Sequence, residues 1–166
     1  MRNTSKTYQL VLTALFAAIT ALVTVIIRIP IPNGQGFLNF GDGILMVSGL
    51  ILGPTVGMAT GAIGSALADV FAGYAIYAPF TFVVKGVEGW LAGFLFDNFK
   101  NKWIVTIIAG LVMAGGYFLT DWFLYGMAAA IVSLPLNIGQ GLFGALVAGI
   151  LYRPLKNIIH TEARIN

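Results

Sequence analysis

The chain contains no cysteine, one histidine and few charged residues: nine Lys or Arg and six Asp or Glu among 166 residues. The absence of cysteine excludes disulfides, thiolate catalysis and thiolate-ligated metals. His160 stands alone near the C-terminus and cannot supply a catalytic triad or a histidine-based metal site. Phosphate-binding loops and ATP-binding motifs are also missing. We therefore predict that the chain is not an enzyme, binds no metal and carries no cofactor of its own.

Apolar residues dominate the composition. They make up 58% of the chain, and the mean hydropathy is +0.91. Charged residues account for 9%, whereas a soluble domain carries about a quarter. These values predict an all-α integral membrane protein with one domain over residues 1–166. The net charge of +3 is spread along the chain, which argues against nucleic-acid binding.

The apolar segments predict six membrane-spanning helices. The first is long enough to span and lacks a cleavage site, so we interpret it as a retained helix and not a signal peptide. Residues 28–40 contain two prolines and two glycines and are expected to be irregular. Residues 41–72 would form a helix of about 48 Å, too long for one span, and Gly53-Pro54 divides them. The predicted spans are about 8–27, 42–52, 55–71, 79–97, 103–123 and 131–152.

The distribution of basic residues supports six spans. With the N-terminus inside, six spans leave Arg28 alone outside and place seven basic residues in the cytoplasm, whereas one fewer span reverses the bias. Both termini are then cytoplasmic, and loops 28–40, 72–78 and 124–130 face outward. The predicted cytoplasmic residues are Arg2, Lys6, Lys100, Lys102, Arg153, Lys156 and Arg164.

The fourth predicted span carries two charges, Lys85 and Glu88, three residues apart and so on one helix face. Charges at membrane depth cost a few kcal/mol or more and usually face a bundle interior or a cavity. Two interpretations stay open: a structural ion pair that fixes helix packing, and one wall of a binding pocket. In the second, Lys85 either contacts the ligand or mainly neutralises Glu88.

Other polar residues fall in the same outward half of the spans. Aromatic residues also gather there, either as an interfacial belt or as a cap over a flat ligand. Asp42 has a second interpretation as the N-cap of the second span. Together they predict a pocket open to the outside. The predicted substrate-binding residues are Asn39, Asp42, Asp69, Tyr74, Tyr77, Lys85, Glu88, Tyr117, Asp121, Asn137 and Gln140.

Small residues recur at four-residue spacing, which lets helices approach closely in lipid. In spans three and six we expect this to serve packing within the bundle; the residues are Gly57, Gly61 and Ser65, and Gly141, Ala145 and Gly149. In span one the spacing suits either internal packing or contact with a partner protein. The residues concerned are Ala14, Ala17, Ala18 and Ala21.

Three segments, TALFAAITALVTV, FLNFGDGILMVSGLILGP and FVVKGVEGWLAG, resemble the substrate-binding S component of energy-coupling factor (ECF) vitamin transporters. The resemblance covers essentially the whole chain. It implies a multi-pass protein of a prokaryotic plasma membrane that binds a vitamin near the outer surface and topples to release it inside. It also implies a membrane coupling (T) subunit and two cytoplasmic ATPase subunits that hydrolyse ATP. The alanine face of span one would contact the T subunit, and loop 28–40 with spans four to six would form the pocket.

Within the family, the chain is most similar to the hydroxymethylpyrimidine and vitamin B6 members of the riboflavin-type group. A small pyridine or pyrimidine offers ring nitrogens and hydroxymethyl groups to Lys, Asn, Gln and Asp side chains. Folate and thiamine pyrophosphate are disfavoured, because Lys85 is the one cation predicted at pocket depth. Riboflavin or pantothenate is the alternative substrate, and a structural membrane protein without transport function is the alternative from another class.

Overall fold

The computed structural model of the chain describes residues 6–30 and 37–165, and it describes side chains over 6–27 and 40–159. Six helices and one short hairpin form a single bundle. The elements are α1 (Lys6–Ile26), β1 (Arg28–Pro30), β2 (Phe37–Asn39), α2 (Asp42–Leu52), α3 (Pro54–Phe71), α4 (Ala78–Phe99), α5 (Lys102–Tyr125) and α6 (Met127–Ile165).

The six predicted helices are confirmed, but they differ in how far they could span. By length and hydropathy, α1, α5 and the part of α6 up to Ile159 are suited to cross a membrane. In contrast, α2 has 11 residues and is about 16 Å long, well short of a hydrocarbon core of about 30 Å. The cytoplasmic placement of both termini stays a prediction.

The last helix differs most from its predicted bounds. It has 39 residues and contains Pro135 and Pro154, whereas the sequence predicted a span over 131–152. The predicted outer loop 124–130 is wrong, because Gly126 alone separates α5 from α6. Gly126 has φ +88°, a conformation that glycine adopts without strain and that permits this tight turn.

The segment 28–40 was expected to be irregular, and its described ends are instead paired. Residues 28–30 and 37–39 form an antiparallel hairpin in which Ile29 pairs with Leu38. Residues 31–36 lie outside the described residues. The side chain of Asn39 does too, so its predicted role in substrate binding stays a prediction.

Glycines allow the helices to pack closely, as their spacing indicated. A Cβ on Gly110 of α5 would lie 2.8 Å from the carbonyl oxygen of Gly141 on α6, closer than real Cβ contacts occur. On α3, a Cβ on Gly57 would overlap the backbone of Gly89 on α4. These pairs hold α3 against α4 and α5 against α6 with backbones in direct contact.

The four alanines of α1 do not share one environment. Ala14 and Ala18 are exposed and Ala21 is half-buried, as a partner surface would require. Ala17 is 7% exposed, and a Cβ on Gly64 of α3 would lie 2.6 Å from its carbonyl oxygen. Within this bundle Ala17 therefore belongs to the α1–α3 contact and not to the exposed face.

Candidate substrate-binding site

A lysine with two carboxylate partners lies at the centre of the bundle. Lys85 Nζ donates to Asp42 Oδ1 at 2.5 Å and to Glu88 Oε2 at 3.0 Å. The second oxygen of Asp42 accepts from Gln140 Nε2 at 2.9 Å. All three charged side chains have 0% exposure. We call Asp42, Lys85, Glu88 and Gln140 the lysine cluster; it joins α2, α4 and α6, and the predicted Lys85–Glu88 pair is only part of it.

The position of Asp42 depends on where α2 begins. The N-cap residue is Gly41, and none of the described side chains caps this helix, so the N-cap interpretation of Asp42 is wrong. Instead, Asp42 projects sideways to meet Lys85, which is seven residues, or about 10 Å, into α4. Close approach of α6 makes this possible, because a Cβ on Gly144 would lie 2.6 Å from the Asp42 Cβ.

A second carboxylate is held nearer the end of the bundle where α4 begins and α5 ends. Tyr77 OH donates to Asp121 Oδ1 at 2.7 Å, and Ser133 Oγ donates to Asp121 Oδ2. Burial, and then the neighbouring Asp121, raise the pKa of the Tyr77 phenol, so Tyr77 remains a neutral donor. We call Tyr77, Asp121 and Ser133 the Asp121 cluster.

Polar residues continue between these two clusters. Thr81 Oγ1 and Tyr117 OH lie 3.0 Å apart, and Lys85 Nζ is 5.4 Å from the centroid of the Tyr117 ring. On α6, Asn137 falls between Ser133 and Gln140 at helical spacing and is buried. We call Thr81, Tyr117 and Asn137 the middle layer. The polar region is thus continuous along α4, α5 and α6.

Two buried carboxylate oxygens in this region have no hydrogen-bond partner among the residues that the structure describes: Glu88 Oε1 and Asp69 Oδ2. Asp69 lies near the end of α3, beside Thr81 of the middle layer. A buried acceptor without a donor costs about 1–3 kcal/mol. The region therefore has unused capacity to accept hydrogen bonds.

Most of the residues predicted from sequence meet in this region. The lysine cluster, the Asp121 cluster and the middle layer contain eight of them, and Asp69 adjoins the middle layer. Tyr74 is half-buried in the turn before α4, and its backbone N–H donates to Asp69 O at 2.8 Å. Sequence reasoning missed Thr81 and Ser133. Their spacing of four residues from Lys85 and Asn137, respectively, placed both on the same helix faces as those predicted residues and could have identified them.

Comparison with known proteins identifies the family. The family model of the ECF-type riboflavin transporter S component matches residues 4–157. The chain belongs to this family of ECF S components. A thiamine precursor transporter, HmpT, of Lactococcus lactis subsp. cremoris (strain MG1363) is 31% identical over 144 residues, which are 86% of this chain and 84% of that protein.

Two further similarities agree. An uncharacterized protein of Pyrococcus woesei, described as lying in a gap 3′ region, is 40% identical over 141 residues, covering 83% of this chain and 95% of the relative. A solved structure of the S component of a bacterial ECF transporter superposes with a TM-score of 0.78 at 24% identity, over 93% of this chain and 99% of the other. That structural likeness concerns the fold. This S component is a multi-pass membrane protein for uptake of a vitamin or vitamin precursor, and it is not an enzyme.

Proposed function

We propose that this S component captures a small pyrimidine or pyridine without net negative charge, either hydroxymethylpyrimidine or a B6 vitamer such as pyridoxine or pyridoxamine, in the polar region between the lysine cluster and the Asp121 cluster. The observation that carries the proposal is a pair of buried acceptors beside the middle layer, Glu88 Oε1 and Asp69 Oδ2, which no donor of the described side chains reaches. Hydroxymethyl and amino groups on such a ring are donors that would satisfy them.

The balance of buried charge argues for the same class of ligand. Among the residues that the structure describes, Asp42, Asp69, Glu88 and Asp121 are buried carboxyl groups, against Lys85 as the buried cation. Lys85 already contacts two of those carboxylates. A phosphorylated or multiply anionic ligand would meet repulsion here without a cation left to offset it. A neutral ring with donor groups meets no such penalty.

The aromatic ring in the middle layer supports a flat ligand. Tyr117 belongs to the middle layer, and its ring is within 5.4 Å of Lys85 Nζ. A tyrosine beside buried amides can pack against one face of a heterocycle while the amides bond its edge. Asn137 supplies both a donor and acceptors at this level.

Delivery to the cytoplasm would require partners, because the described residues contain no nucleotide-binding motif. Family membership supports a membrane T subunit and two ATPase subunits in a prokaryotic plasma membrane. The exposed Ala14 and Ala18 and the half-buried Ala21 form the surface on α1 that we assign to the T subunit. Their small side chains would let a partner helix approach closely.

Riboflavin is the second candidate, favoured by the description of the matching family model. Its isoalloxazine is also uncharged and flat, but its three fused rings need far more room than one pyrimidine. Pantothenate is less suited, because its carboxylate would face the excess of buried acids.

The test is calorimetric titration of the purified protein with hydroxymethylpyrimidine, pyridoxine, pyridoxamine, thiamine, riboflavin and pantothenate at micromolar concentrations. We expect a single-ring ligand to bind more tightly than riboflavin and pantothenate. Tighter binding of riboflavin would replace the proposed ligand by the second candidate. If no compound in the panel bound, vitamin capture in this region would be refuted.

Asn137→Ala is the variant that locates the ligand. Removing one hydrogen-bonding side chain from the middle layer is expected to weaken binding about 3- to 10-fold. Asn98→Ala is the matched control, since Asn98 is exposed and donates to Phe94 O of its own helix. Equal affinity in both variants would move the ligand away from the middle layer, even if a vitamin binds.

A further inference from the structure

A group of basic residues surrounds aromatic rings at the other end of the bundle, where α4 ends and α5 begins. Four cations gather there with three rings from α4, α5 and α6. We call this group the basic collar; it consists of Lys100, Lys102 and Lys156 around Phe96, Trp103 and Tyr152, together with the exposed Arg153 that follows Tyr152 in α6.

The collar is an ordered arrangement. Lys102 Nζ lies 4.8 Å from the centroid of the Trp103 ring and 5.5 Å from that of Tyr152. Lys156 Nζ lies 5.3 Å from the same Tyr152 centroid and donates to its hydroxyl at 3.2 Å. Two ammonium groups therefore share one tyrosine ring, and cation–π attraction offsets part of their mutual repulsion.

Packing fixes the aromatic part of the collar. Phe96 meets Tyr152 edge-to-face with centroids 5.3 Å apart. The Trp103 ring occupies the space that a side chain at position 149 would fill, because a Cβ on Gly149 would overlap it. Lys102 Nζ also donates to Gly149 O at 2.5 Å. Both the rings and the ammonium groups are thereby held in place.

Within the described part of the chain, the charge of the collar is largely uncompensated. Its acidic contact among the described residues is Asp97, whose Oδ1 is 3.9 Å from Lys100 Nζ in an exposed pair. Such pairs contribute little. Exposed apolar side chains lie close in sequence to these basic residues: Phe99 is 64% exposed, Ile104 51% and Ile158 59%. A cationic surface next to exposed apolar surface fits a ligand with an anionic head and a hydrocarbon tail.

We propose that the basic collar is a binding site for an anionic phospholipid, with the phosphate at Lys102, Arg153 and Lys156 and the acyl chains along the exposed apolar side chains. Aromatic and basic residues of this kind mark the membrane–water boundary. A free inorganic or sugar phosphate would use the cations but leave the apolar surface unused. The site is separate from the polar region proposed to bind substrate.

The experiment measures lipid binding to the purified, detergent-solubilised chain by native mass spectrometry. The probes are dioleoylphosphatidylglycerol, dioleoylphosphatidylcholine and soluble glycerol 1-phosphate. We expect the anionic lipid to bind at least tenfold more tightly than the zwitterionic one, and glycerol phosphate not to compete at equal concentration. Since each basic residue near an anionic surface contributes roughly fivefold, Arg153→Gln with Lys156→Gln should weaken binding of the anionic lipid about 25-fold.

Lys6→Gln is the control, because it removes an exposed lysine on α1, a helix that packs against α2 and α3, whereas the collar is formed by α4, α5 and α6. It should leave the lipid preference unchanged. If the double variant fails to fold, Arg153→Gln alone, at an exposed position, should still weaken binding about fivefold. Equal binding of both lipids, an unchanged preference in the collar variants, or competition by glycerol phosphate would each overturn the proposal. Collar variants that retain lipid binding but no longer assemble with partner proteins would also overturn the proposal.

Discussion

Replacing Lys85 by methionine should destabilise this S component more than almost any other single change. The methylene stem is nearly preserved, so the substitution removes mainly the ammonium group. It leaves the Asp42 and Glu88 carboxylates, both fully buried, without their common cation. Breaking a buried ion pair by removing one partner typically costs about 3–5 kcal/mol.

The distances between Lys85 and its two carboxylate partners explain why the loss of stability is large. At an effective dielectric constant of about 20, the 2.5 Å and 3.0 Å contacts correspond to roughly 5–7 kcal/mol of attraction each. The two accepting oxygens contact the same nitrogen, so they are at most about 5.5 Å apart and repel by about 3 kcal/mol or more once it is gone. Relaxation of the surroundings and water penetration limit the net loss of stability. We therefore expect a loss of about 4 kcal/mol, within the range typical of a buried ion pair broken by removing one partner.

The assay is the Tm of the purified protein in detergent, where Lys85→Met should lower Tm on the order of 10 °C at pH 7. The matched variant carries Asp42→Asn, Lys85→Met and Glu88→Leu together. It removes all three charges and keeps an acceptor for Gln140, so its stability should return to within about 1 kcal/mol of wild type or exceed it, while substrate binding is lost. A single variant as stable as wild type, or a triple variant as unstable as the single one, would refute this reasoning.

Two further outcomes test packing and the Asp121 cluster. Gly57→Ala should cost about 1–3 kcal/mol in unfolding experiments, because its Cβ would overlap the α4 backbone; the control Gly115→Ala, whose Cβ meets nothing within 4 Å, should be neutral or slightly stabilising. Equal stability of these two variants would contradict the backbone contact. Tyr77→Phe should lower the free energy of unfolding by about 1–2 kcal/mol, because Asp121 loses one donor. The double variant Tyr77→Phe with Ser133→Ala should lose more stability than the sum of the two single variants, since no donor of this cluster remains. Strict additivity in that double-mutant cycle would show that the two donors act independently.

Much of the architecture could be predicted because membrane insertion leaves a strong pattern in sequence. Apolar length, Gly53-Pro54 and the bias of basic residues were enough for six helices. The wrong predictions concern local features of the last two helices. The sequence does not reveal that Gly126 alone can turn the chain between α5 and α6, or that α6 tolerates Pro135 and Pro154 and continues to Ile165.

The candidate site could be predicted as a set of residues but not as a network. Helical spacing paired Lys85 with Glu88 correctly, because partners on one helix follow from periodicity. The shorter contact of Lys85 is with Asp42, 43 positions away in the chain. That pairing depends on α2 beginning part-way into the bundle, which no local pattern encodes. Replacing only Lys85 and Glu88 would consequently not be a clean test of the pair, because it would leave Asp42 buried without its cation.

Helix α4 shows how one segment can hold charges and still pack in a membrane. Its polar stripe, Thr81, Lys85 and Glu88, faces the interior. A glycine stripe, Gly89 and Gly93, lies against the backbone of α3 and the turn before it. Its lipid-facing side is apolar and exposed, with residues Phe82, Val83, Val87, Trp90 and Phe94. Three different surfaces share 22 residues. An average hydropathy taken over the whole helix therefore conceals all three. The close glycine contacts leave α4 little freedom to rotate, and rotation is what would carry Lys85 into lipid; the packing stripe thus helps to keep the charged stripe in place.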